Sequence, residues 1–213
     1  MRMLLIRHGQ SLGNIEARIQ GDDDPLTDRG RSQARALAAA LAARGDVGSL
    51  YASPLARAWE TAEIIGTTVG LAPTREPGLA EINAGIAPGQ RWADWTIANP
   101  DLAAAMAPDR QSLAAWPGGE SEQVFSGRVF AAFDRVVSAH AHTDDVVALV
   151  AHGGSLAWIT ARLLGDRLDR WPQQRATLAN CSISELALSA DGQFAFASWN
   201  EVAHLAALDA PEG

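Results

Sequence analysis

The sequence predicts an α/β fold: a three-layer sandwich with a mostly parallel, mixed central sheet flanked by helices, plus a small helical cap insertion. Three observations predict it. Met3 to Ile6, Leu50 to Ala52 and Val146 to Ala151 are short, continuous apolar runs, the pattern of strands buried on both faces. Helical patterns follow these runs, and strands alternating with helices build parallel sheets. Near the carboxyl end, Ile183 to Leu188 and Phe194 to Ser198, joined at Asp191-Gly192, have the form of a hairpin, which makes the sheet mixed. A chain of 213 residues is ample for one buried core, so a single domain over residues 1–213 is expected.

After the first strand and the loop Gly21 to Leu26, Thr27 supplies an N-cap. Ala34, Leu37, Ala38 and Leu41 then make an apolar stripe, and Gly45 a stop. Ser53-Pro54 is expected to open the next helix, with serine as the cap and proline at the first helical position. Residues Ile82 to Gly119 differ from the rest, holding three tryptophans, four of the ten prolines and no strand pattern. A cap-like insertion at about 82–119, running over one end of the sheet, accounts for that composition. Asp22-Asp23-Asp24 reads as a solvated loop, because its spacing does not match an EF-hand.

Composition removes several functional classes. At 47% hydrophobic and 20% charged, usage is that of an ordinary globular domain. The apolar runs are too short to cross a bilayer, and the amino terminus lacks the hydrophobic region of a signal peptide. Cys181 is the only cysteine, which excludes an intrachain disulfide and a cysteine-rich metal site. A cytoplasmic protein without a membrane partner is expected. All 17 basic residues are arginine, so Schiff-base chemistry and a P-loop lysine are excluded. A net charge of −8 without a basic run argues against nucleic acid as a partner. Any anion must therefore be met by a local arginine cluster.

Two of the strand runs end alike, in Arg7-His8-Gly9 and in Ala151-His152-Gly153-Gly154. In an open parallel sheet, ligands bind beyond the carboxyl ends of the strands, so both histidines are delivered to one edge. The third run leads into Ser53-Pro54-Leu55-Ala56-Arg57, which places Arg57 in the first turns of a helix at that edge. Arginine's planar fork and the free N–H groups of a helix amino terminus both suit phosphate oxygens. The glycines after each histidine let the backbone approach closely.

With Asn14, the segment Arg7-His8-Gly9-Gln10-Ser11 resembles the signature of the histidine phosphatase superfamily, also called phosphoglycerate mutase-like. Further blocks resemble the family in order and spacing. They are Gln20-Gly21 with Pro25-Leu26-Thr27, Ser53 to Ala58 with Glu60-Thr61-Ala62, Pro117 to Ser121, Ala151 to Gly154, and the tail Asn200 to Leu205. The resemblance implies that His8 attacks phosphorus while Arg7, Asn14, Arg57 and His152 hold the equatorial oxygens, with a further contact from Gln20 and the close backbone of Gly153. It also implies that Glu81 protonates the leaving oxygen and then activates water, with His152 protonated for its task. After Glu81 the chain departs from the family pattern, with Ala84, Ala87 and Pro88 where other residues are usual.

The reading that follows is a phosphomonoester hydrolase working through phosphohistidine on a small phosphorylated metabolite, with no metal or other cofactor, and open to forming a homodimer. A cofactor-dependent phosphoglycerate mutase is the alternative, disfavoured because the segment after Glu81 is short and offers only Arg91 and Arg110. Two rivals have other mechanisms. An α/β-hydrolase-type esterase would use Ser155 in Gly153-Gly154-Ser155-Leu156-Ala157, with Asp191 and His204 following in order. A non-catalytic module would bind phosphorylated ligands with the same arginines. His140 and His142, beside Asp144 and Asp145, lack zinc spacing and read as solvated.

Overall fold

A computed structural model describes residues 1–105, 113–166, 178–189 and 192–208. Arg110 and Asp191 lie outside the described residues. Six strands form one sheet: β1 (Arg2–Arg7), β2 (Val47–Ala52), β3 (Thr74–Arg75), β4 (Val146–Ala151), β5 (Ile183–Leu188) and β6 (Phe194–Glu201), in the order β3-β2-β4-β1-β5-β6. β1, β2, β3 and β4 are mutually parallel, and β5 pairs antiparallel with both β1 and β6. The mixed three-layer sandwich is thus the observed architecture.

Alternation along β1 and β4 explains why their runs are wholly apolar. Met3, Leu5, Val147, Leu149 and Ala151 face one core, while Leu4, Ile6, Val146, Ala148 and Val150 face the other. Each buried Leu, Ile or Val contributes about 1.5–3 kcal/mol relative to exposure, which fixes these strands at the centre. Among the helices introduced in chain order are α1 (Leu12–Ile15), α2 (Asp28–Arg44), α3 (Ala56–Val69), α4 (Trp92–Ala98), α5 (Pro100–Ala105), α6 (Glu122–His140) and α7 (Gly153–Leu163). α2 and α3 cover the second core, and α6 and α7 the first.

Local chemistry sets the ends of α2 as expected: Thr27 Oγ1 accepts from the Gly30 N–H at 2.9 Å, and Gly45 closes the helix at φ 69°. α3 corrects an expectation. It begins at Ala56 with Leu55 as cap, two residues later than Ser53-Pro54 suggested, and the Ser53 hydroxyl accepts from Leu55 N–H at 3.2 Å in the turn that precedes it. Asp24 corrects another, being buried and paired with Arg18 through its two terminal guanidinium nitrogens, whereas Asp22 and Asp23 are exposed. His140 is not solvated either: it meets the Tyr51 hydroxyl at 3.0 Å and the Asp145 carboxylate at 3.4 Å.

In the 82–119 segment, Trp95 and Trp116 are buried with Ala84, Ala87 and Ile19 in a small core of their own. These two rings fill that core, while Trp92 stays 44% exposed at its edge. No β-strand occurs among the described residues of this segment.

Gly9 and Gly30 bring α2 against the end of β1. A Cβ on Gly30 would lie 2.0 Å from the Gln10 carbonyl oxygen, and one on Gly9 2.6 Å from the Gly30 oxygen. Both obstacles are backbone, so neither can swing aside. Gly30→Ala should therefore destabilise by about 1–3 kcal/mol through overpacking, against the stabilising trend of alanine in helices. Urea unfolding checks this, and an unchanged or raised midpoint would contradict it.

Candidate active site

Strand register assembles the site. Arg7 pairs with Ala151 and Ala52 with Val150, so His8, His152 and Ser53 each follow the last paired residue of three adjacent strands. The main chain extends the pairing, with His8 N–H to Ala151 O at 3.0 Å and Ser53 N–H to Val150 O at 2.9 Å. The His8 and His152 rings stand 5.2 Å apart, and both residues are buried. Arg57, in the first turn of α3, is buried at the same edge.

His8 is fixed as one tautomer. Its Nδ1 is 2.7 Å from the Gly9 carbonyl oxygen, which can only accept, so Nδ1 carries the proton and Nε2 keeps its lone pair. The strand end is held in turn by Thr61 Oγ1, which accepts from Gly9 N–H at 3.1 Å, and by Asn180 Nδ2, which donates to the His8 carbonyl at 3.0 Å. His152 Nε2 meets Ser53 Oγ at 2.7 Å.

Each arginine is anchored through Nη1, while its Nε is left without a partner among the described residues. Arg7 Nη1 donates to the Leu178 carbonyl, and Arg57 Nη1 to the Gly21 carbonyl at 2.8 Å. Among the described residues, buried Arg7 Nε, Arg57 Nε and His152 Nδ1 have no hydrogen-bond partner. The Asn14 oxygen takes Ser11 N–H and Asn180 Nδ2, each at 3.1 Å, and faces the Ser11 hydroxyl at 3.0 Å. Gln20 Oε1 faces the same hydroxyl at 2.8 Å, so both amide NH2 groups turn away from Ser11.

Glu81 follows β3 and the 3-10 turn Pro77–Leu79. Its carboxylate accepts from Gly154 N–H at 2.8 Å and from Ile82 N–H at 2.9 Å. Gly154 is required there, since a Cβ would come within 2.3 Å of the carboxylate. The Glu81 charge acts on both Arg7 and Arg57. Gly153 opens α7 directly after His152.

Ser155 is not placed as a hydrolase nucleophile. Its hydroxyl is buried against the Leu79 and Ala80 carbonyls, each at 3.0 Å, and His204 Nε2 faces the Cys181 carbonyl at 2.9 Å. Sequence reasoning missed Ser53, Thr61 and Asn180 as supports of the histidines. Thr61 and Ser53 stood inside recognised blocks, but their contacts cross between elements.

Burial pushes the pKa of His8 well below 6.5, and the nearby Arg57 and Arg7 charges add to the effect. His152 is pushed down in the same way, by burial first and then by Arg57. Arg7 and Arg57 are lowered too, again by burial. Unfolded histidines bind protons as pH falls through about 6.5, while these two folded ones do not. Stability should be fully present above that pH and fall below it by about 1.4 kcal/mol per pH unit per histidine. Urea midpoints between about pH 7 and pH 5 check this. The slope should shrink in a His8→Asn/His152→Asn variant, and an equal slope would contradict the coupling.

The sequence matches the histidine phosphatase superfamily (branch 1) across residues 3–202. A relative named "Probable phosphoglycerate mutase GpmB", from Salmonella paratyphi B, is 31% identical over 217 residues, spanning 99% of this chain and 96% of its own length. The structure of a mycobacterial glucosyl-3-phosphoglycerate phosphatase in complex with VO3 superposes with a TM-score of 0.80 at 30% identity, over 93% of this chain and 98% of that one. Bacillus stearothermophilus YhfR superposes with a TM-score of 0.82 at 27% identity, over 96% and 98% of the two chains. With its two histidines and two arginines gathered at one sheet edge, the chain belongs to the histidine phosphatase superfamily, branch 1.

Proposed function

We propose that the protein is a phosphomonoester hydrolase that acts through a phosphohistidine intermediate on small phosphorylated metabolites. One observation carries the reading: a neutral His8 with Nε2 free for attack stands among buried polar nitrogens, on Arg7, Arg57 and His152, that have no protein partner among the described residues. Leaving such a group unpaired costs about 1–3 kcal/mol, and phosphoryl oxygens would relieve that cost.

In the proposed reaction the His8 Nε2 lone pair forms the N–P bond while Arg7, Arg57, Asn14 and Gln20 hold the oxygens. Gly153 lets the backbone close on them. An arriving dianion raises the pKa of His152, so that its imidazolium stabilises the charge of the transition state. Glu81 gives its proton to the leaving oxygen, and its carboxylate then takes a proton from the water that attacks phosphorus, returning the bond electrons to His8. The proposed chemistry needs no metal and no other cofactor. The 82–119 segment serves as a cap on a single domain spanning 1–213, and a cytoplasmic setting and a homodimer are compatible with this chemistry.

The mutase reading is supported by the name of the Salmonella relative. A mutase would need further cations for a second phosphate and a carboxylate. Arg18 does not supply one, being paired with Glu16 and Asp24.

A panel of phosphomonoesters should give hydrolysis that His8→Ala reduces by about 10³-fold or more. Arg57→Ala should lower kcat/KM by about 10²- to 10³-fold, as when one oxyanion donor is removed. Retained activity in His8→Ala would overturn the mechanism. In a direct comparison using bisphosphoglycerate, hydrolysis should exceed transfer, and the reverse order would establish the mutase.

A further inference from the structure

We propose that Arg128 and Ser155 are positioning residues for the Glu81 carboxyl group. They hold the segment that carries it so that its proton meets the leaving oxygen. The proposal rests on the reading of Glu81 as proton donor.

Glu81 lies in the stretch 80–83, which is neither helix nor strand, so no regular backbone pattern fixes its direction. Side chains from two helices fix it instead. The Arg128 guanidinium, on α6, donates to the carbonyls of Gly78, Ala80 and Glu81 at 3.1, 2.7 and 2.9 Å. Its other two bonds go to the Glu120 carboxylate, both at 2.7 Å. From α7, the Ser155 hydroxyl lies 3.0 Å from the carbonyls of Leu79 and Ala80. Glu120 secures the far side of Glu81, accepting from Asn83 N–H at 2.9 Å and donating its own N–H to Asn83 O at 2.9 Å.

This arrangement is more than an ion pair needs. A bidentate bond to Glu120 occupies two of the arginine's five N–H groups, and the other three converge on the four residues that lead to and include Glu81. Lysine would keep the charge but lose the planar fork. Ser155 sits one residue beyond Gly154, whose N–H holds the Glu81 carboxylate itself at 2.8 Å. The amino terminus of α7 thus fixes both the backbone and the carboxyl of the proton donor.

Proton donation has its own kinetic signature. As the N–P bond forms at His8, the electrons of the breaking P–O bond pass to the leaving oxygen, which takes the Glu81 proton. A nitrophenolate leaves readily without that proton, whereas an alkoxide does not. kcat/KM reports events up to this first transfer, before water enters.

The test compares kcat/KM for p-nitrophenyl phosphate and glycerol phosphate in wild type, Arg128→Lys, Ser155→Ala and Glu81→Gln. The two positioning variants should lose about 10- to 100-fold with glycerol phosphate and less than about threefold with the nitrophenyl ester. A parallel fall with both esters, or no fall with either, overturns the proposal. Glu81→Gln separates the two layers. If it shows the leaving-group discrimination and the positioning variants do not, only the positioning role fails. If it shows none, the reading of Glu81 fails and the proposal with it. Ser155→Ala, a small change at a buried site, carries the test should Arg128→Lys fail to fold.

Discussion

A histidine can attack phosphorus only if one ring nitrogen keeps its lone pair, and here the Gly9 carbonyl decides which. It lies 2.7 Å from Nδ1 of His8, and because a carbonyl accepts but never donates, the proton stays on Nδ1 and the lone pair on Nε2. The carbonyl is in place because Gly9 lets α2 approach within a distance no side chain would allow, and because Thr61 holds the Gly9 N–H. Strand register then sets His152 beside His8, with 5.2 Å between rings. The nucleophile is therefore a product of sheet pairing and helix packing together.

Electrostatics give this geometry its direction. Two arginines and two imidazoles share a buried edge, and burial disfavours every one of their charged forms. The imidazoles respond by staying neutral, while the arginines cannot, since a guanidinium keeps its proton. Glu81, Asp24 and Asp22 offset part of the Arg57 charge. What remains is a positive site short of acceptors, suited to a phosphoryl dianion.

Much of this was legible in the sequence because it lies in local pattern. The apolar runs of β1 and β4, the Thr27 cap, the Gly45 stop and the repeated strand-His-Gly all survive intact. What local pattern could not carry was pairing between distant elements. Ser53 reads as a helix cap but also meets His152, Asp24 reads as solvated but is buried on Arg18, and Ser155, which only the rival esterase reading used, bonds to carbonyls. In each case a short polar side chain met a tertiary partner that no spacing announces. The low pKa of His152 was likewise hidden, since it follows from burial beside Arg57 rather than from residue type.

Where the phosphoryl group lands tests the phosphohistidine mechanism at its source. Rapid acid-free quenching during turnover of a phosphomonoester, followed by phosphorus NMR and peptide mapping, identifies both the residue and the ring nitrogen. Phosphate is expected on His8, bonded to Nε2. A phosphoryl group on Nδ1, on another residue, or on no residue during active turnover would contradict it.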